Sequence, residues 1–400
     1  MNTTNETNKT RVLAVDIMRG LTLFLMLFVN DLYVPGVPEW LGHTAADFDG
    51  MGLADWVFPG FLFMVGLSIP YAMSARRKKG DNTWQILLHV LGRSASLLII
   101  GVLMVNIRRL NPELSGLSQN IWALLLYVCV FLIWNQYKRA RLPQWVPWVL
   151  KIAGIAGIVA LVSIFRAGTA DDPHWIEPGW WGILGMIGWG YLTASLTYLL
   201  VRGNLLYSGV VWIAFIALNI LSQAGMTGFL DFLKPVFSVI INGNTPSIVL
   251  AGLVAGIFLK ESQLPVERKV WVYLVSGAVV LLSGYLLRNW FIISKIYGTP
   301  SWAMICNGIS LWVFALLLFT VDLKGKYRWA SWFKIAGQNS LTTYLAPDIL
   351  YYSVWMLGLP LFFYKQDASQ LLAVAGSIVW AFAMIGFANL LSKIHIHLKL

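Results

Sequence analysis

The sequence predicts an all-α fold, a polytopic integral membrane bundle of about 10 to 12 transmembrane helices. Of its 400 residues, 58% are hydrophobic and only 12% are charged. Soluble domains are roughly half apolar and about a quarter charged. Many of the 20 tryptophans lie near the ends of apolar segments, as in an interfacial aromatic belt. These observations together predict that the lipid bilayer surrounds most of the chain.

Twelve apolar runs are long enough, or nearly so, to cross a bilayer. The eighth is short and the eleventh is polar for a span, so ten or eleven spans stay open as alternatives. The runs are residues 12–33, 53–75, 84–107, 118–137, 145–166, 181–201, 205–226, 245–260, 269–288, 300–322, 336–357 and 369–392.

The charge distribution predicts the topology of these spans. The net charge is +11, but the basic residues lie in short loops between apolar runs, which argues against nucleic-acid binding. With twelve spans, 19 Lys and Arg residues lie on the side of the N-terminus and 7 on the other side. The bias predicts cytoplasmic tails at 1–11 and 394–400 and a single transmembrane domain at 12–393. The first span lacks a cleavage pattern and is expected to remain as an anchor.

Polar groups concentrate in the first two spans and the connection between them, from Val12 to Pro70. Ionisable groups inside a span are costly and usually face a protein interior or a water-filled cavity. This stretch is therefore predicted to form the active site of an integral-membrane enzyme. Its polar groups are Asp16, Arg19, Asn30 and Asp31 in the first span, His43 in the connection, and Asp55 in the second span.

His43 is the first catalytic candidate, because a neutral imidazole can take a proton from an amine or accept an acyl group. The alternative is a polar loop histidine without a role. Asn30 and Asp31 could orient His43 or polarise a carbonyl, or they could simply end the first helix. Pro59 frees a backbone carbonyl near Asp55, so the outer end of the second helix is expected to be irregular and to line the site.

Two further groups of residues are candidates for binding. Asp16 and Arg19 share one helix face and could form a structural ion pair, or could anchor an anionic ligand together with Arg93. Gln338, Asn339 and Tyr344 in the polar eleventh run could line a cavity, or could form hydrogen bonds between helices. The two cysteines lack a metal or redox spacing, and no metal site is predicted.

An ordered set of motifs resembles the heparan-α-glucosaminide N-acetyltransferase family, multi-span transmembrane acyltransferases that include bacterial homologues. The resemblance covers about 60 residues at the N-terminus and is weaker later in the chain. Its motifs are D-x-x-R-G from Asp16 to Gly20, MLFVN ending at Asn30, His43, LADWVFPGFLFMVG from Leu53, PSW at 300–302 and GQNS at 337–340.

The resemblance implies acetyl transfer from cytoplasmic acetyl-CoA to the amino group of a terminal glucosamine. It matches His43 to the family's catalytic histidine and Asn30 to the asparagine that closes the first span, and both are predicted to be catalytic. Asp31 or Asp55 is expected to orient the imidazole. The acyl donor is expected to bind near Arg19 and Arg93, with Asp16 beside them. A homodimer in the bacterial inner membrane is also expected. The segment Asp47 to Asp49 departs from the family pattern, which leaves the choice of amino-sugar acceptor open.

The rival interpretation is a secondary transporter of a small anionic or sugar-like solute. Twelve spans, cytoplasmic termini and charges inside spans all suit a transporter. Such proteins often carry a two-fold internal repeat, and no copy of the Val12–Pro70 pattern occurs in the second half of the sequence. The enzyme is therefore the favoured prediction.

Overall fold

A computed structural model describes residues 12–137 and 142–400 of the chain. The predicted tail at 1–11 lies outside these residues. The described part is mostly helical, with one short antiparallel hairpin of β1 (Ala167–Gly168) and β2 (Pro173–His174). The all-α prediction is confirmed.

The helices are α1 (Leu13–Asp31), α2 (Leu53–Lys78), α3 (Thr83–Asn106), α4 (Pro112–Ser115), α5 (Gln119–Trp134), α6 (Trp145–Ile164), α7 (Gly182–Leu200), α8 (Leu205–Gln223), α9 (Lys234–Ile241), α10 (Asn244–Glu261), α11 (Val266–Leu287), α12 (Pro300–Leu317), α13 (Ser331–Gln338), α14 (Ser340–Leu357) and α15 (Gln370–Lys393).

Within the described ranges, ten helical segments are long and apolar enough to cross a membrane. The fourth and eleventh predicted runs also contain helices, α5 and α14, but these fall outside that group. The first is shorter, at 16 residues, and the second carries the polar residues noted in its sequence. The chain is thus an integral membrane protein, and the number of described helices that could cross a membrane by length and composition lies within the predicted range.

One end of the bundle is defined by the start of α1. The backbone N–H groups of Leu13 and Ala14 donate to the Asp322 carboxylate at 3.1 and 2.9 Å, which satisfies two of the free donors at a helix N-terminus. Asp322 lies in the π-helical turn Leu318–Leu323 after α12. We call this the Leu13 end. The opposite end carries the α1–α2, α11–α12 and α14–α15 connections, and we call it the His43 end.

Small residues allow the central helices to approach closely. A Cβ added at Gly66 of α2 would overlap the Val249 carbonyl of α10, and one at Gly252 of α10 would overlap the Phe63 carbonyl of α2. Close backbone approach through glycine is typical of helix pairs in membranes. This contact fixes α2, and with it the first turn of α2 at the His43 end.

The prolines of α2 do not interrupt it. The helix runs continuously from Leu53 to Lys78 with Pro59 and Pro70 inside it, so the expected irregularity at Pro59 is wrong. Pro59 has no N–H to donate to the carbonyl of Asp55, four residues earlier. The indole Nε1–H of Trp302, in α12, donates to that carbonyl at 3.1 Å instead. A side chain of α12 therefore satisfies the carbonyl that the proline leaves free.

Candidate active site

The site begins with a buried carboxylate in the first turn of α2. Asp55 is fully buried, and its Oδ2 accepts backbone N–H hydrogen bonds from Gly52 at 3.0 Å and Thr44 at 3.1 Å. The Thr44 hydroxyl donates to the same oxygen at 3.2 Å. These bonds fold the end of the α1–α2 connection back over the start of α2. The other carboxylate oxygen, Oδ1, is left facing His43.

His43 and Asp55 form a histidine–carboxylate pair. Nδ1 of His43 lies 2.7 Å from Oδ1 of Asp55, and the imidazole side chain is 44% exposed. A carboxylate that accepts from Nδ1–H fixes the tautomer with a free lone pair on Nε2. The arrangement thus pairs a buried orienting acid with an accessible base, which is the geometry needed for general-base or nucleophilic catalysis.

Lys295, in the α11–α12 connection, completes this cluster and was missed in the sequence. Its Nζ lies 3.0 Å from Nδ1 and 3.3 Å from Nε2 of His43, and 3.9 Å from Oδ1 of Asp55. Burial lowers the pKa of Lys295, and the nearby Asp55 carboxylate offsets only part of that effect. Two features of the sequence could have indicated Lys295. It is a basic residue on the side of the membrane that is predicted to carry few of them, and it lies just before the PSW motif.

Asp49 joins the two connections that meet at the site. Its carboxylate accepts from the Ile293 backbone N–H at 2.8 Å and from Arg288 Nε at 2.8 Å, and both interactions lower the pKa of Asp49. The Ser294 hydroxyl donates to the Ala46 carbonyl at 2.7 Å. The segment in which the sequence departs from the family pattern therefore holds the Lys295 connection against the His43 connection.

Asp31 belongs to a different cluster. It is fully buried and accepts hydrogen bonds from Tyr351 and from Tyr364, the latter at 2.9 Å, while Lys365 Nζ lies 2.9 Å from it. Of the two carboxylates expected to orient His43, Asp55 contacts it. Asn30, beside Asp31, is exposed at the end of α1.

Two adjoining cavities open at the Leu13 half of the bundle, of about 310 and 360 Å³. Both are lined by Arg19, Arg93 and Ser340, together with Phe61 and Val65 of α2. The larger cavity extends along α1 to Met26 and along α7 to Leu184. The shared lining shows that the two cavities adjoin, and together they extend from the Leu13 end towards the His43 end.

Two arginines give this space its positive charge. Arg19 donates to the Ser68 hydroxyl at 2.7 Å, and its guanidinium lies 3.8 Å from Asp16. Arg93 stacks over Tyr191, with its Cζ 4.8 Å from the ring centroid. The buried Nε of Arg93 has no hydrogen-bond partner among the residues that the structure describes. Such a group suits an anionic ligand with oxygen acceptors.

The polar residues of the eleventh predicted run lie in different surroundings. Asn339 and Tyr344 line the larger cavity, and the Asn339 amide also donates to the Ser392 hydroxyl at 3.0 Å. The cavity and hydrogen-bonding interpretations of Asn339 are thus compatible. The side chain of Gln338 lies outside the described residues. In the described ranges, no group of three or more His, Cys, Asp or Glu side chains is arranged to hold a metal.

Fold and site together define an all-helical polytopic membrane protein with a histidine–carboxylate pair at one end and an arginine-lined cavity at the other. The family described as "Domain of unknown function (DUF5009)" matches residues 11–227, just over half of the chain. The chain belongs to this family. His43, Asp55, Arg19 and Arg93 lie within the matched residues, whereas Lys295 lies outside them.

Curated relatives confirm the resemblance at the family level. The chain is 37% identical over 103 residues to the heparan-alpha-glucosaminide N-acetyltransferase of Mus musculus, and 38% identical over 96 residues to that of Homo sapiens. These matches cover 26% and 24% of this chain but only 15% and 14% of the relatives. The relationship is therefore to a part of those proteins.

Proposed function

We propose that this protein is a membrane acetyltransferase that moves an acetyl group from acetyl-CoA to the amino group of a glucosamine-type sugar. The observation that carries the proposal is the His43–Asp55 pair, because it provides an oriented base at an accessible position. The partial relationship to N-acetyltransferases that act on a glucosaminide supports the same reaction class. The acceptor and the donor are part of the proposal.

In the proposed reaction, Nε2 of His43 takes a proton from the acceptor amine while the amine nitrogen attacks the thioester carbonyl. The C–N bond forms, the C–S bond breaks, and CoA leaves as the thiol after proton transfer. Asp55 stabilises the imidazolium that forms. Asn30 is the proposed donor to the developing oxyanion, a role that can contribute about 2.7–4 kcal/mol. Transfer through an acetyl-histidine is the alternative route at the same residue.

The proposed donor site is the space lined by Arg19 and Arg93. Arginine matches phosphate geometry, and the unpartnered Nε of Arg93 leaves a donor for it. The charge bias supports a cytoplasmic Leu13 end with both termini on that side. Acetyl-CoA then enters from the cytoplasm, and the amino sugar reaches His43 from the opposite face.

The test uses purified protein with radiolabelled acetyl-CoA and glucosamine, and compares wild type with His43→Ala. The control is His174→Ala, which removes another half-exposed histidine that is paired with Asp172 at 3.2 Å in a different connection. We expect acetylated product from wild type and control, and a loss of at least about 100-fold in His43→Ala.

Equal activity in all three proteins would show that His43 is not catalytic. Binding of acetyl-CoA without product would contradict glucosamine as the acceptor. If the wild type failed to bind acetyl-CoA, the acetyltransferase proposal would fail and transport of a small solute would become the better explanation.

A further inference from the structure

Lys295 lies closer to the imidazole of His43 than to the carboxylate of Asp55, the acid with which it could form an ion pair. Nζ of Lys295 lies 3.9 Å from the Asp55 carboxylate but 3.0 and 3.3 Å from the two nitrogens of His43. By contrast, Lys365 at the same end of the bundle lies 2.9 Å from its carboxylate partner, Asp31. The lysine amine is therefore placed on the imidazole rather than on the acid.

We propose that Lys295 Nζ occupies the position of the acceptor amine, and that the His43 centre acetylates Lys295 when no acceptor is bound. This inference rests on the proposed acetyltransferase function. It adds a modification site at Lys295 and identifies the acceptor's binding position.

The functional groups support this placement. Lys295 presents a primary amine on a carbon chain, which is the nucleophile that an amino sugar would present. Its distance of 3.3 Å from Nε2 of His43 is near the range for direct proton transfer. The Lys295 side chain is 23% exposed, so the amine is partly withdrawn from water. Burial also lowers the pKa of Lys295, which increases the fraction of neutral, nucleophilic amine at a given pH.

The proposed step balances without a further reactant. The neutral Nζ of Lys295 attacks the carbonyl carbon of the acetyl thioester, and the C–N bond forms. One Nζ proton passes to Nε2 of His43, the C–S bond breaks, and the thiolate takes that proton to leave as CoA thiol. The product is N-acetyl-Lys295, and no oxidation or reduction takes place.

The geometry also predicts competition. An acceptor amine that binds at His43 must displace Nζ from its position 3.0–3.3 Å from the ring nitrogens. A bound acceptor should therefore protect Lys295. Acetylated Lys295 would carry a bulky neutral amide in place of the amine and would obstruct that position.

The experiment incubates the purified full-length protein with isotope-labelled acetyl-CoA, with and without glucosamine, and measures the labelled fraction of individual lysines by peptide mass spectrometry. Lys365 is the internal control, because it lies at the same end but is paired with Asp31. We expect at least tenfold more label on Lys295 than on Lys365 without glucosamine. Saturating glucosamine should lower the Lys295 label severalfold, and His43→Ala should abolish the excess.

Lys295→Arg verifies the peptide assignment, because it keeps a cation and removes the acylated amine. Equal label on Lys295 and Lys365, or an excess that persists in His43→Ala, would overturn the inference. Acetylglucosamine production in the arm with glucosamine, combined with no label on Lys295 in the arm without it, would overturn the inference and leave the proposed function intact. Label on Lys295 without acetylglucosamine would support it and contradict glucosamine as the acceptor. The absence of both products would overturn both proposals.

Discussion

The exchange Asp55→Asn tests the geometry of the site with almost no change in volume. Oδ2 of Asp55 accepts from the backbone N–H groups of Gly52 and Thr44, whereas Oδ1 faces Nδ1 of His43. An asparagine keeps only one acceptor oxygen. Because two backbone donors and the Thr44 hydroxyl converge on the Oδ2 side, the amide oxygen should take that side. The NH₂ group then faces Nδ1.

An NH₂ group facing Nδ1 requires that nitrogen to accept, so the proton of the neutral imidazole moves to Nε2. The base at Nε2 is lost although the side chains stay in place. In a catalytic triad the equivalent exchange lowers turnover by about 10⁴-fold. We expect a decrease in kcat of about 10³–10⁴-fold, which corresponds to about 4–5.5 kcal/mol of transition-state stabilisation.

The assay is acetyl transfer from labelled acetyl-CoA to glucosamine, with donor binding and thermal unfolding measured on the same samples. The matched control is Asp31→Asn, because Asp31 is an equally buried carboxylate at the same end whose partners are Tyr351, Tyr364 and Lys365. We expect the control to lose less than tenfold in kcat. A folded Asp55→Asn protein with wild-type kcat, or an equal loss in the control, would refute the reasoning.

Two further predictions concern the donor cavity and the connection between loops. Arg93→Gln should raise the KM for acetyl-CoA by about 10–100-fold, since a hydrogen bond to a charged group contributes about 1.5–3 kcal/mol. The control is Arg76→Gln, because Arg76 pairs with Asp81 at 2.8 Å. The control should change the KM less than threefold. Asp49→Asn should lower the unfolding free energy by about 1 kcal/mol or less, because its ion pair is partly exposed. The pKa of Asp49 is below its ordinary 3.8. The difference in unfolding free energy between wild type and Asp49→Asn should therefore be full above pH 3.8 and should disappear as the pH falls through the lowered pKa. Thermal unfolding at several pH values measures this difference.

Hydrophobicity was sufficient to predict most of the fold, because backbone groups inside a bilayer must be satisfied within a helix or a closed barrel. Each of the twelve predicted runs contains a helix. The behaviour of Pro59 could not be predicted in the same way. Whether a proline bends a helix depends on what satisfies the freed carbonyl, and that donor is Trp302, 247 residues from Asp55 along the chain.

The candidate site shows the same division between local and distant information. His43 and Asp55 are 12 residues apart, so composition alone could group them within one stretch. Lys295 lies 252 residues from His43 and is brought to it by the packing of α12 on α2 and by Asp49. The sequence also could not decide whether Asp31 or Asp55 orients His43. The structure shows that Tyr351 and Lys365, which are distant in sequence, bind Asp31.

The positions of the two predicted binding regions bear on the choice between an acyltransferase and a transporter. Arg19 and Asn30 are 11 residues apart on α1, or about 17 Å along the helix. The cavity already reaches Met26, so about one helical turn separates its inner limit from Asn30. An acyl donor held at Arg19 would have to extend past this turn to bring its thioester to the His43 end. A transporter must instead open each end of the bundle in turn. In this structure the bonds of Asp49 to Ile293 and Arg288 join the two connections at the His43 end.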